Sequence, residues 1–347
     1  MMTILYILLL LFILGIIIFI HELGHFYFAK KYDVHIYEFS IGMGPVVYSK
    51  LGKDNIQYNL RAVPLGGFVA MAGEVYEDGT GEVKIKKEDY MCNKKWYQRF
   101  MILIAGVLNN FILAIILLFG IALFYGGSMT TSTIEYVAEE SAAESAGMLA
   151  GDTITEINGK AITSWDSAQI ILVMEDEDGI YDFVVDRDGE EILISVEPNL
   201  VDDAMVFGIG LETETYTGLM DSIKYAFVKF YSIIQSMFLT LYALFAGSIG
   251  VNALAGPIGM YDVVKTSVGL GLVNVVYLLA FLSINVGILN ILPFPAFDGG
   301  RLLFLLIEKI KGSPVDVKFE NLCHMIGFVL LILLSLYVAF NDILRLL

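Results

Sequence analysis

The chain has 347 residues, 57% of them hydrophobic, and a mean hydropathy of +0.71, which is too apolar for a soluble protein of this length and points to a membrane. Its net charge of −17 and the lack of a basic stripe argue against nucleic acid as a partner, since phosphates would go unneutralised. The two cysteines, Cys92 and Cys323, flank the one soluble-looking segment and exclude a disulfide framework within it.

Apolar runs at residues 3–28, 101–125, 273–292 and 324–340 are each long enough to cross about 30 Å of hydrocarbon. They predict a polytopic α-helical membrane protein with about four transmembrane helices. The first run lacks a basic leader and a small-x-small cleavage site, so it is expected to be retained rather than removed as a signal peptide. Between the first two runs lie 11 lysines and arginines, from Lys30 through Lys84 to Arg99, which should hold that loop in the cytoplasm. The N-terminus is then outside, and the third span runs inward to Arg301, Lys309, Lys311 and Lys318.

Residues 126–216 carry 21 acidic and 2 basic side chains, a net −19 that leaves +2 for the rest of the chain. An acidic soluble domain is therefore inserted into a near-neutral membrane protein, on the extracytoplasmic side. Strands are expected at 134–137, 153–158 and 160–163, the last two joined by Asn158-Gly159, a hairpin turn. Alternation of Tyr181, Phe183 and Val185 before Asp188-Gly189, and of Ile192, Ile194 and Val196 after it, predicts a second hairpin. A helical turn at 142–148 and a helix at 165–174 make the domain α/β.

Residues 218–247 are apolar enough for a fifth span, although Lys224, Lys229 and Gln235 interrupt the first half. A crossing there would turn the next helix outward and carry Asp298 to the side opposite His21. The segment is therefore expected to lie at the outer interface as an amphipathic helix, with an ordinary span in a transporter-like bundle as the alternative. The expected order is residues 1–125 with two spans and a cytoplasmic β segment, 126–216 as the outer domain, 217–272 as an interfacial helical region, and 273–347 with the last two spans.

The sequence His21-Glu22-Leu23-Gly24-His25 falls inside the first apolar run. Positions i and i+4 of a helix share a face, so both imidazoles can reach one zinc ion. Glu22 points about 100° away and suits a water better than the metal. Ionisable groups in a spanning helix cost roughly 2.5–3.5 kcal/mol on insertion scales and are seldom kept as filler, although a structural polar cluster or a dead site is the alternative. Catalytic zinc takes three protein ligands and an open position. Asp298 is the best third ligand: Asn290-Ile-Leu-Pro-Phe-Pro-Ala-Phe-Asp298-Gly-Gly ends the third span on the same side as His21, and its prolines and glycines break the helix. A plain helix-ending turn is the alternative for that run, and His35 and His324 are expected to be interfacial residues.

Together these features resemble the site-2 protease family, in its bacterial sigma-factor-regulating branch, over almost the whole chain. Residues 141–159, Ser-Ala-Ala-Glu-Ser-Ala-Gly-Met-Leu-Ala-Gly-Asp-Thr-Ile-Thr-Glu-Ile-Asn-Gly, resemble a bacterial PDZ domain, which implies a groove for an extended peptide or chain end; an inert spacer is the alternative. The resemblance implies His21, His25 and Asp298 as zinc ligands, Glu22 as the acid/base, and Asn290 as a residue that holds the substrate backbone. It also implies a membrane-associated β segment at residues 58–69, where Gly66, Gly67 and Phe68 would receive unwound substrate. Gly256-Pro-Ile-Gly and Ala105-Gly106 with Asn109-Asn110 are further family-like features, and Val107 stands where the family more usually has proline. The single PDZ-like unit points to a single-membrane bacterium.

The function so implied is zinc-dependent intramembrane cleavage of single-pass membrane segments, such as anti-sigma factors or remnant signal peptides, within a lipid bilayer. Glu22 would take the proton of the attacking water and pass it to the leaving amine. A metal-ion transporter would need polar groups stepped along several spans, whereas these gather near one depth. A non-catalytic PDZ scaffold would have no need of Glu22.

Overall fold

The apolar run that begins the chain contains no proline, and hydrocarbon offers its backbone no other hydrogen-bond partner, so it forms one 30-residue helix, α1 (Met2–Lys31). We describe the chain from a computed structural model over residues 2–73, 85–174, 179–201, 204–250 and 256–346. Lys84, residues 175–178 of the acidic segment and residues 251–255 of the interfacial region lie outside the described residues. The chain divides into two units, Met1–Leu117 with Leu254–Leu347, and Leu118–Ala253.

In the first unit, α1 ends at Lys30-Lys31, where Asp33 turns into the left-handed region and Val34 N–H returns to Ala29 O at 2.9 Å. Two long strands follow, β1 (Ile36–Leu51) and β2 (Gln57–Met71). They form more than a simple hairpin. Residues 57–60 of β2 pair with residues 48–51 of β1 on one side and with residues 38–41 on the other, and residues 67–71 add outside residues 36–41. The pair thus bends over itself into four segments, in which by register residues 38–41 run parallel to residues 57–60 and the other neighbours are antiparallel, with residues 67–71 at one edge. The Arg61 guanidinium ties the bend together, bonding to Glu38 Oε1 at 2.5 Å, Ser40 Oγ at 3.0 Å and Gly44 O at 2.8 Å.

Helix α2 (Trp96–Tyr125) returns through the bundle. Phe39, Val69 and Met71 of the sheet, Ile102, Leu103 and Val107 of α2, and Leu302 and Leu305 of a later helix make one buried cluster. A second cluster joins Ile13 and Ile17 of α1 to Val264 of α6 (Pro257–Gly269) and Leu278 of α7 (Leu272–Ile291). The chain ends in α8 (Asp298–Lys311) and α9 (Val317–Leu346). The buried Asp342 carboxylate of α9 accepts from Gly256, Ile258 and Gly259 N–H at 3.1–3.3 Å, so an anion from α9 caps the α6 N-terminus.

The second unit holds β3 (Gly127–Val137), α3 (Ala142–Ala146), β4 (Thr153–Ile157), β5 (Lys160–Ala161), α4 (Trp165–Met174), β6 (Tyr181–Arg187), β7 (Glu190–Val196), β8 (Asn199–Val201), β9 (Ala204–Val206), β10 (Ile209–Tyr216) and α5 (Leu219–Ala246). The sheet order is β10-β3-β4-β6-β7, with β5 on β4. The alternating residues Tyr181, Phe183, Val185, Ile194 and Val196 face inward onto Ile134, Ile154, Ile157, Ala168 and Ile171. Both hairpins fall at the expected turns. β10 and the first half of β3 were not expected, because their pairing joins residues about eighty positions apart.

Helices α1, α2, α7 and α9 occupy the four expected apolar runs, and α5 is a fifth helix long and apolar enough to cross a membrane. Its first half lies along the acidic domain: Lys229 Nζ is 2.7 Å from Asp166 Oδ2, Ser232 Oγ donates to the same oxygen at 2.6 Å, and Thr163 Oγ1 donates to Gln235 Oε1 at 2.9 Å. Both cysteines are free thiols.

Among the described residues of the domain the buried acid is Asp152, 1% exposed, which accepts from Arg187 Nε and Nη2 at 2.6 and 2.7 Å and from Leu149 N–H at 2.9 Å. The Arg187 hydrogen bonds hold its carboxyl below the usual carboxylate range. A folded-state pKa below the unfolded one stabilises fully above the ordinary carboxylate pKa of about 3.9 and fades as pH falls through the depressed value. Arg187→Leu is expected to destabilise the domain at neutral pH, by less than the loss of an enclosed pair because the Arg187 side chain is 28% exposed. Hydrogen exchange of β4 and β6 in the intact protein should register that loss at pH 6, and the gap from wild type should narrow below about pH 4.

Candidate metal centre

Helices in lipid gain nothing from hydrophobic burial against each other, so close packing must come from small residues. At Gly24 of α1 and Gly106 of α2 the helices meet almost backbone to backbone. A β-carbon on Gly24 would lie 2.3 Å from Ala105 O, and one on Gly106 would lie 2.5 Å from His25 Nε2 and 2.7 Å from His21 Nε2. The two imidazoles therefore occupy the space that a side chain at 106 would fill. His25 Nδ1 donates to Ile102 O at 2.8 Å, which leaves Nε2 with its lone pair.

Asp298 arrives from the other end of the chain. After α7 stops at Ile291, residues 292–297 turn through Pro293 and Pro295, and Asp298 begins α8. Gly299 and Gly300 press against the backbone of that turn, where added β-carbons would lie 2.1 Å from Leu292 O and 2.6 Å from Phe294 O. Only glycine permits this fold-back, and it directs the carboxylate at the imidazoles.

The three donor atoms converge. Asp298 Oδ2 lies 2.9 Å from His21 Nε2 and 3.2 Å from His25 Nε2, and the two Nε2 atoms are 3.2 Å apart. Among the described residues this is the one such group of His, Cys, Asp or Glu side chains. Zinc bonds of about 2.0–2.1 Å in tetrahedral array place their ligands about 3.3 Å apart, so the set needs to open by only a few tenths of an ångström. Two imidazole nitrogens and one carboxylate oxygen are also the donor chemistry that suits zinc.

Glu22 borders a cavity of about 670 Å³ with His25, Asp298, Arg301, Gly67 and Phe68 among its walls. Gly67 packs directly on the acid, since a β-carbon there would lie 3.2 Å from Glu22 Cγ. Phe68 stacks under Arg61, 5.0 Å from ring centre to guanidinium carbon. Gly66 sits at the bend before the edge segment with φ +90°. Asn290 is the penultimate residue of α7 and is half-buried. Neither Gly66 nor Asn290 lines this cavity.

Two supports were not read as such from the sequence. Asn110 of α2 is fully buried, with its amide 3.4 Å from His21 Nδ1 and its Oδ1 without a partner. Amide oxygen and nitrogen occupy equivalent positions, so turning the amide end for end lets Oδ1 accept from His21 Nδ1–H and frees Nε2. His324 of α9, expected to be interfacial, accepts from Ala296 N–H at 3.0 Å and lines the cavity. Asn110 was visible as a family-like residue, whereas His324 had no motif around it.

Residues 9–334 match the sequence profile of Peptidase family M50. The chain is 32% identical to the zinc metalloprotease RasP of Shouchella clausii, over 96% of this chain and 97% of that one. It is 31% identical to the regulator of sigma-W protease RasP of Bacillus subtilis, with the same coverage, and 32% identical to the zinc metalloprotease RasP of Geobacillus kaustophilus, over 95% and 96%. The chain therefore belongs to peptidase family M50, as a multi-pass membrane zinc metalloprotease of the site-2 type.

Proposed function

We propose that His21, His25 and Asp298 hold the zinc and that Glu22 is the catalytic acid/base of an intramembrane endopeptidase acting on single-pass membrane segments. The observation that carries this reading is the placement of Glu22 in one cavity with His25 and Asp298, beside the strand edge at residues 67–71. When bound, zinc supplies a Lewis acid that polarises a peptide carbonyl and acidifies water. Glu22 takes the proton from the attacking water and carries it to the leaving amine.

A substrate helix has every backbone group bonded internally, so it must unwind before attack. Residues 67–71 pair with β1 on one side, and among the described residues no strand pairs on the other. That edge offers an extended substrate the hydrogen bonds it loses on leaving its helix. Gly67 keeps the edge close to Glu22, and Phe68 contributes an apolar wall. Asn290 is assigned to the substrate backbone by family resemblance, together with Gly66.

The substrates proposed are anti-sigma factors or remnant signal peptides already trimmed outside the membrane. The regulator of sigma-W protease from Bacillus subtilis is a relative that fits the first class. The acidic domain is proposed to be a PDZ-like, extracytoplasmic filter that excludes untrimmed proteins by size. Helix α5 stays at the outer interface in this reading. Its bonds through Lys229, Ser232 and Gln235 fasten its first half to the acidic domain. The remaining residues 236–246 rise only about 16 Å at 1.5 Å each, half of the roughly 30 Å core. With α5 outside, the metal centre faces the cytoplasmic side.

Glu22→Gln should abolish cleavage of a tagged single-pass substrate on co-expression while the purified protein keeps its zinc. His21→Ala and Asp298→Ala should lose both, and turnover by Glu22→Gln would refute the assignment. In a variant free of native thiols, Lys160→Cys should label from outside and Gly312→Cys from inside; the reverse at either position breaks the topology.

A further inference from the structure

Asp298 is delivered by a turn that holds an unusual backbone. Six non-glycine residues among those described have positive φ. Asp33, Asn55, Glu140, Asn158 and Asp188 lie between +50° and +60°, and all but one of them are Asp or Asn, which tolerate the left-handed region. Ala296 stands apart at +87°. Alanine has no polar side chain to compensate for that conformation, so the surrounding structure must impose it.

What imposes it is α9. The Ala296 N–H donates to His324 Nδ1 at 3.0 Å. One turn further on, Gly327 lies so close to the same segment that a β-carbon would sit 2.3 Å from Pro295 O. Accepting at Nδ1 places the neutral ring's proton on Nε2, which is buried and has no hydrogen-bond partner; its nearest acidic oxygen is Glu320 Oε1 at 3.9 Å. The ring is thus engaged at the nitrogen that faces the turn.

We infer that His324 is a positioning residue for Asp298: by accepting the Ala296 amide it holds the left-handed turn that aims the carboxylate at His21 and His25. This rests on Asp298 being a zinc ligand. Without the acceptor, Ala296 relaxes toward negative φ, and the rotation is passed to Asp298 two residues later. In this role the imidazole acts through the Ala296 amide and donates nothing to the metal.

The test is the zinc affinity of the full-length protein purified in detergent, measured by competition with a chromophoric chelator. His324→Phe keeps a ring and removes the acceptor, and should weaken zinc binding roughly 10–100-fold, the usual range for lost outer-shell support. Asn Oδ1 occupies the place of His Nδ1 whereas Gln Oε1 reaches the place of Nε2, so His324→Asn should hold zinc tightly and His324→Gln should not. Ala296→Gly combined with His324→Phe should recover most of the loss, because glycine adopts φ +87° without strain.

Wild-type affinity in His324→Phe, or equal affinities for the Asn and Gln variants, overturns the inference, and the Asn and Gln pair decides it even if the Phe variant does not fold. Asp298→Ala separates the two levels. If that variant keeps its zinc, the ligand assignment fails; if it loses zinc while His324→Phe keeps it, only the role of His324 fails.

Discussion

The near-contact of two helix backbones at Gly24 and Gly106 is the constraint on which the site depends. A methyl group at either position would meet a carbonyl oxygen or an imidazole nitrogen at 2.3–2.5 Å. In lipid, that proximity is what lets α1 and α2 associate through dispersion contacts and hydrogen bonds. Asn109 Nδ2 donates across the same contact to Ile20 O at 3.1 Å, and Ser283 Oγ of α7 donates to Asn110 O at 2.9 Å. The two histidines therefore sit on a seam that fixes their rings from the α2 side, and Asp298 needs only to arrive from the other.

Its arrival uses a second device of the same kind. Gly299 and Gly300 allow α8 to start against the backbone of the turn, and Gly327 allows α9 to close over it. A ligand set drawn from positions 21, 25 and 298 is thus held by backbone contacts instead of long side chains. The strand edge at residues 67–71, the proposed substrate surface, belongs to a four-segment sheet locked by Arg61, Glu38 and Ser40.

The sequence made the chemistry legible where it is local. His21 and His25 share a helical face at any depth, and the prolines and glycines around Asp298 announce a turn. Both hairpins of the acidic domain were readable from alternation and from Asn158-Gly159 and Asp188-Gly189. Long-range pairing was not: Gly42-Met43-Gly44-Pro45 marks a bend within β1 but does not say that both halves of the strand will pair with β2, and β10 finds β3 across the whole domain. Lone polar residues were the hardest to read. His324 looks interfacial by position and acquires its meaning only when Ala296 is seen beside it, and Asn290 and Gly66 take their roles from resemblance, with the cavity wall formed by neighbouring residues.

X-ray absorption at the zinc edge of the purified wild-type protein tests the central claim most directly, because it reads the ligand atoms themselves. The account predicts two imidazole nitrogens with oxygen ligands at about 2.0–2.2 Å and no sulfur, a pattern that disappears with the metal in Asp298→Ala. A sulfur shell near about 2.3 Å, or an unchanged spectrum in Asp298→Ala, would contradict it.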